Sequence, residues 1–127
     1  MPILLQIALG GAIGAVLRHL VGSHVTRLTG GGFPWGTLTV NVAGCFAMGL
    51  ALVVLTRRGG EAMAVAPFVM TGVLGGFTTF SAFSLEVFDL AERGRPLLAL
   101  GYVAASVVLG LGAFIAGASM LRGGGAP

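Results

Sequence analysis

Polar residues in this chain come in short clusters separated by long apolar stretches. A membrane-crossing helix needs about 20 mostly apolar residues. Four stretches reach that length: Ile3 to Val21, Gly36 to Leu55, Ala62 to Phe88 and Leu97 to Leu121. Between them lie GSHVTRLTGGGFPW, TRRGG and DLAERGRP, which carry the Gly, Pro and Arg of loops. RGGGAP reads as a frayed tail, and Trp35 as an aromatic anchor at a membrane boundary. MPILLQIALGGAIGA has the apolar run of a signal peptide but no basic leading region, and three further apolar stretches follow. It is read as the first span. The pattern predicts a single all-α membrane domain over residues 1–127, with four transmembrane helices.

The third stretch departs from the pattern at GVLGGFTTFSAFS, Gly72 to Ser84. Gly75 and Gly76 disfavour continuous helix. The hydroxyls of Thr78, Thr79 and Ser81 can bond local backbone and compete with the helical ladder. The third helix is expected to break there, in mid-membrane. Such a break is tolerated only where protein or a water-filled cavity surrounds it. Freed carbonyls suit a small hard cation, and the start of the following half-helix favours an anion. Phe77, Phe80 and Phe83 recur every third residue and are expected on one face after the break. Their positive ring edges could line an anion path. The plainer alternative is lipid-facing or core packing.

The other spans hold polar pairs one turn apart. Thr37 and Asn41 share a face of the second span; Tyr102 and Ser106 share a face of the fourth, which Gly110 continues without a side chain. Each pair either cross-links helices or offers neutral donors to a passing anion. Arg18 and Glu86 are expected near span ends, where snorkelling lowers their cost.

Composition narrows the function classes. The chain is 56% hydrophobic and 9% charged, with a mean hydropathy of +1.01. A soluble domain carries about 25% charged residues, so this chain cannot cover a water-facing surface. All seven basic residues are arginine, and they are spread along the chain, which excludes a nucleic-acid patch. Cys45 reads as a small buried hydrophobe, and His19 and His24 as interfacial. There is no metal-ligand cluster, P-loop or nucleophile elbow, so no enzyme is expected. A proton-coupled exporter of organic cations needs an intramembrane carboxylate, and no span offers a deep one. A non-transporting assembly subunit would explain the glycines but not the third-span break.

With four spans, Arg57, Arg58 and Arg122 fall on one side of the bilayer; Arg27, Arg93 and Arg95 fall on the other, with Arg18 nearby. Orientation normally follows a basic excess on the cytoplasmic side. The near balance favours insertion in both orientations, compatible with an antiparallel homodimer; the alternative is a single orientation set by weak or external cues. Gly10 and Gly14, Gly72 and Gly76, and Ala113 and Gly117 have the spacing of close helix contacts, either between subunits or within one.

In order and at this length, GGAIGAVLRH, GTLTVNVAGCFAMG and GVLGGFTTFSAFS resemble the Fluc fluoride channels, also called the CrcB family. The resemblance covers nearly the whole chain. It implies a dual-topology antiparallel homodimer in the bacterial inner membrane, with two fluoride pathways along the subunit interface. It implies passive fluoride export. It also implies a structural sodium ion at the dimer centre, held by backbone carbonyls that fall on Gly75 and Thr78. The family's pore phenylalanines fall on Phe80 and Phe83, its pore asparagine on Asn41, and its hydroxyl track on Tyr102 and Ser106. Thr37, Thr79 and Ser81 add hydroxyls to that pathway. Arg18 and Glu86 become vestibule charges. Gly110 stands where related sequences continue the track with a hydroxyl. Residue spacing alone does not choose fluoride over chloride.

Overall fold

The computed structural model describes residues 1–122. The tail expectation for residues 123–127 lies outside the described residues. The described residues are helical, without strands: α1 (Ile3–Thr29), α2 (Trp35–Arg58), the short α3 (Gly60–Met63), a π-helical segment (Pro67–Leu74), α4 (Gly75–Phe77), α5 (Ser81–Glu92) and α6 (Pro96–Arg122). Four helical runs are long and apolar enough to cross a membrane: Ile3–Thr29, Trp35–Arg58, Gly60–Glu92 and Pro96–Arg122.

The boundaries follow local chemistry. α1 runs eight residues beyond the expected Val21, because nothing between Gly22 and Thr29 stops a helix. Thr26 Oγ1 donates to Gly22 O and Thr29 Oγ1 to Val25 O, so these hydroxyls stay on the ladder. The stop is Gly30, whose φ of 83° a side chain would resist. At about 1.5 Å per residue, α1 is about 40 Å long and overshoots a hydrocarbon core of about 30 Å. Gly94, at φ 78°, closes the turn before α6, which opens on Pro96, a proline suited to the first helical position.

Packing depends on backbone approaches that only glycine allows. α1 lies against the π-helical segment and α4, while α2 and α5 pack on α6. A Cβ on Gly10 would stand 2.5 Å from Phe68 O and 2.9 Å from Gly72 Cα. One on Gly14 would strike Val73 O and come within 2.8 Å of Phe77 N; one on Gly76 would come within 2.8 Å of Gly11 O. On the other side of the bundle, Gly49 faces Phe114 O and Gly117 faces Phe46 O. Thus the small-residue spacings at Gly10, Gly14, Gly72, Gly76 and Gly117 serve contacts within one chain.

A compact core of Leu38, Phe83, Leu90, Ala99 and Tyr102 joins α2, α5 and α6. Tyr102 is fully buried and meets Phe83 and Phe33 at ring-centroid distances of 5.0 and 5.3 Å. Most remaining large apolar side chains point outward, as expected of a chain whose solvent is lipid.

Gly14→Val should lower stability by about 1–3 kcal/mol or more, because the new side chain overpacks against backbone that cannot yield. Gly22→Ala, with no atom within 4 Å of the new Cβ, should be neutral or slightly stabilising. Thermal unfolding of the purified protein in detergent checks the pair; equal midpoints would contradict the close approach of α1 to the third helical run.

Candidate functional site

Regular helix stops at Phe77 and resumes at Ser81, and Thr78 between them is extended, with φ −87° and ψ 157°. Three side chains accommodate this interruption. Asn41, on α2, pairs with the peptide of Thr79: its Nδ2 donates to Thr79 O at 3.0 Å, and its Oδ1 accepts from Thr79 N–H at 2.7 Å. Only one orientation of the amide serves both bonds. Thr79 Oγ1 accepts from Ala82 N–H at 3.2 Å, as a capping hydroxyl does at a helix start. Thr78 N–H and Oγ1 both donate to Leu74 O at 3.1 Å. Gly44 leaves room for the methyl of Thr78 against α2.

These bonds redirect two donors. In an unbroken α-helix, Thr79 N–H would bond Gly75 O and Ala82 N–H would bond Thr78 O. Both are committed to side chains instead. Among the described residues, no backbone bond outside the helices replaces either. The carbonyls of Gly75 and Thr78 are thereby released. The Gly76 carbonyl accepts from Arg18 Nε at 3.1 Å.

Most of the site residues expected from sequence line one of two neighbouring cavities. The larger, about 380 Å³, is polar and opens between α1, α2 and α5; Arg18, Thr37, Thr79 and Glu86 line it. The smaller, about 250 Å³, is lined by Asn41, Thr78, Thr79, Phe80, Phe83 and Ser106, together with Cys45, Val107 and Gly110. Thr79 lines both.

Several expectations change. The helices that carry Arg18 and Glu86 run on past both residues. α1 continues eleven residues past Arg18 and α5 six past Glu86. Each charge is held by fixed partners: Arg18 by Gly76 O, and Glu86 by Thr37 Oγ1 at 2.8 Å and Tyr102 OH at 2.9 Å. The hydroxyls of Thr37 and Tyr102 therefore donate to a carboxylate, and Tyr102 lines neither cavity. The three phenylalanines do not share a face. Phe77 precedes the interruption and packs beside Gly44, while Phe80 is 79% exposed and Phe83 is 8% exposed. The extended Thr78 resets the helical phase between them. Phe80 and Phe83 still touch, with centroids 5.5 Å apart. Ser81 is exposed and lines neither cavity; its Oγ lies 3.4 Å from Thr79 Oγ1. Ser106 Oγ is buried without a partner among the described residues. Cys45, read from sequence as inert packing, lines the smaller cavity; its place one turn after Asn41 was the available signal.

A neutral amide, an unpartnered hydroxyl and two aromatic rings around one small cavity can offer weak positive dipoles to an anion without a full opposing charge. The family described as "CrcB-like protein, Camphor Resistance (CrcB)" matches residues 5–118. A "Fluoride-specific ion channel FluC" of Paracoccus denitrificans is 57% identical over 119 residues, covering 94% of each chain. Proteins of the same name from Cereibacter sphaeroides and Rhizobium etli are 53% and 51% identical, covering 94% and 91% of this chain and 94% and 93% of their own. With a match across nearly its whole length and four helices fit to cross a membrane, this chain is a multi-pass cell-membrane protein that belongs to the CrcB family.

Proposed function

We propose that this chain forms a fluoride-selective channel that lets fluoride leave the bacterial cytoplasm passively, and that it works as an antiparallel, dual-topology homodimer. The observation that carries the reading is the convergence of Asn41, Phe80, Phe83 and Ser106 on one cavity, in a chain 57% identical to a protein named for fluoride. The activity is transport; no bond is made or broken.

In this reading an anion first meets the larger cavity, where Arg18 supplies the positive charge and Glu86 is kept occupied by two hydroxyls. It passes Thr79, the residue common to both cavities. In the smaller cavity the second Nδ2 hydrogen of Asn41, the hydroxyl of Ser106 and the edges of Phe80 and Phe83 replace part of its water shell. Each donor is neutral. Conduction needs sites strong enough to admit an ion and weak enough to release it, and a buried arginine or lysine would hold a small anion too long. Fluoride is the smallest halide and the strongest hydrogen-bond acceptor among them. That suits donors at short range, but the selection of fluoride over chloride rests on the relatives' name.

The dimer is inferred from the outer face. Gly75, Ser81 and Ser84 are exposed beside Phe80, Leu85 and Phe88, which are 79%, 68% and 64% exposed. Released carbonyls facing lipid cost several kcal/mol each. A second copy over this face would remove them from lipid and align the two interruptions. The carbonyls of Gly75 and Thr78 fit a sodium ion there: hard, neutral oxygen donors without helical partners. When bound, the ion would join the two interruptions electrostatically; the transport steps themselves are carried by the side chains named above.

In proteoliposomes the protein should release fluoride rapidly, as read by a fluoride electrode, with no proton gradient present. Efflux that requires such a gradient, or chloride efflux as fast as fluoride efflux, would sink the reading. Asn41→Asp keeps an acceptor for Thr79 N–H but loses the donor to Thr79 O and adds a negative charge; flux should fall by more than about tenfold. A wild-type rate would remove Asn41 from the pathway. Exchanging sodium for a much larger organic cation throughout purification should lower the unfolding temperature or the dimer fraction. Unchanged values for both would argue against a structural ion.

A further inference from the structure

We propose that Cys45 forms a second, inner station of the anion path, where its thiol faces the bare backbone of Gly110 and acts as both donor and constriction. This rests on the channel reading above and extends it to a residue that reading does not use.

The geometry is a pair of matched rungs. Asn41 and Cys45 lie one turn apart on α2, and Ser106 and Gly110 lie one turn apart on α6. All four line the cavity of about 250 Å³. The first rung pairs an amide with a hydroxyl. That hydroxyl, Ser106 Oγ, is buried without a partner among the described residues, on a residue that lines the cavity. The second rung pairs a thiol with no side chain at all. A Cβ built on Gly110 would stand 3.7 Å from Cys45 Sγ. This is an ordinary contact distance, so the sulfur and the Gly110 backbone face each other across a gap of about one small group. Val107, the neighbour on α6, supplies only methyls to the cavity. The S–H is therefore the donor at this level. A thiol is a weak, polarisable and uncharged donor. Placed after a stronger amide and hydroxyl, it offers an anion a step it can leave easily. The missing side chain at Gly110 keeps the gap open, so bulk added to the sulfur would close it.

The test uses the full-length protein in proteoliposomes and measures fluoride efflux before and after methyl methanethiosulfonate. The Cys45 thiolate displaces methanesulfinate and becomes a methyl disulfide, with the thiol proton lost to buffer. Intact mass reports the labelling. In the unmodified sequence, the expected result is labelling of the folded protein and a fall in efflux of more than about tenfold, because a packed constriction tolerates no added group. Cys45→Ser, whatever its own rate, should be unchanged by the reagent. Cys45→Val preserves the volume but removes the donor, and its efflux should fall by about fivefold. Labelled protein that conducts at the unlabelled rate overturns the proposal. So does a folded protein that resists labelling while the unfolded chain accepts it. Wild-type flux in Cys45→Val would reduce Cys45 to packing; if that variant fails to fold, the reagent on the unmodified protein decides. Protein that labels yet never conducts fluoride overturns the channel reading itself, which is a different outcome from conduction indifferent to the label.

Discussion

The bond on which the rest of this structure depends is the pairing of the Asn41 amide with the peptide of Thr79. Within a bilayer no water is available to satisfy a backbone group that leaves the helical ladder. A chain that interrupts a spanning helix must therefore supply partners from side chains. Asn41 supplies a donor and an acceptor at once, in the geometry of another peptide. It ties α2 to the interruption and holds Thr78 extended. It also diverts the N–H that would otherwise engage the Gly75 carbonyl. Thr79 repeats the device one step later with its hydroxyl, taking the N–H of Ala82 and releasing the Thr78 carbonyl. The two released carbonyls are thus consequences of two specific side-chain bonds rather than of glycine flexibility alone.

Glycine's contribution lies elsewhere, in how closely the helices approach. Gly10 and Gly14 let α1 rest directly on the backbone of the third helical run, and Gly76 meets the Gly11 carbonyl from the opposite side. That contact brings Arg18 within reach of the Gly76 carbonyl, at 3.1 Å. Without the close approach the guanidinium would have no fixed position, and the larger cavity would lose its anchored positive charge. The same small residues that look like subunit contacts in the sequence thus position a charge within one protomer.

The helix count, the approximate spans and the irregular third segment were legible in the sequence because they follow from composition and from local propensity. The resemblance grouped Asn41, Phe80, Phe83 and Ser106, and all four line one cavity. The helix ends were less legible. The first apolar stretch looked complete before Gly22, yet α1 continues through His24 and Arg27 to Thr29 and stops at Gly30. Helix length is set by stop signals, not by where hydrophobicity fades. The shared face of Phe77, Phe80 and Phe83 failed for a related reason: spacing predicts direction only while the helical phase is unbroken, and Thr78 breaks it. Tyr102 was expected to offer its hydroxyl to an anion, but the partner that claims it, Glu86, lies sixteen residues away on another helix. Such long-range pairing has no local signature.

The two cavities differ in charge as well as in size, and the difference has a physical logic. The larger holds both ionisable side chains, each pinned: Arg18 to a carbonyl and Glu86 to two hydroxyls. The two do not form an ion pair with each other among the described residues. Among the described residues the one ion pair, Arg93 with Asp89, lies on exposed side chains near the bundle's end. The smaller cavity holds no ionised group. An anion drawn in by a full charge would next face only dipoles: an amide, a hydroxyl, ring edges and a thiol. In the channel proposed above, attraction would fall along the path while desolvation rises, and no single position would become a trap. Thr79 stands where one regime passes into the other, and its backbone is the part of the interruption that Asn41 holds in place.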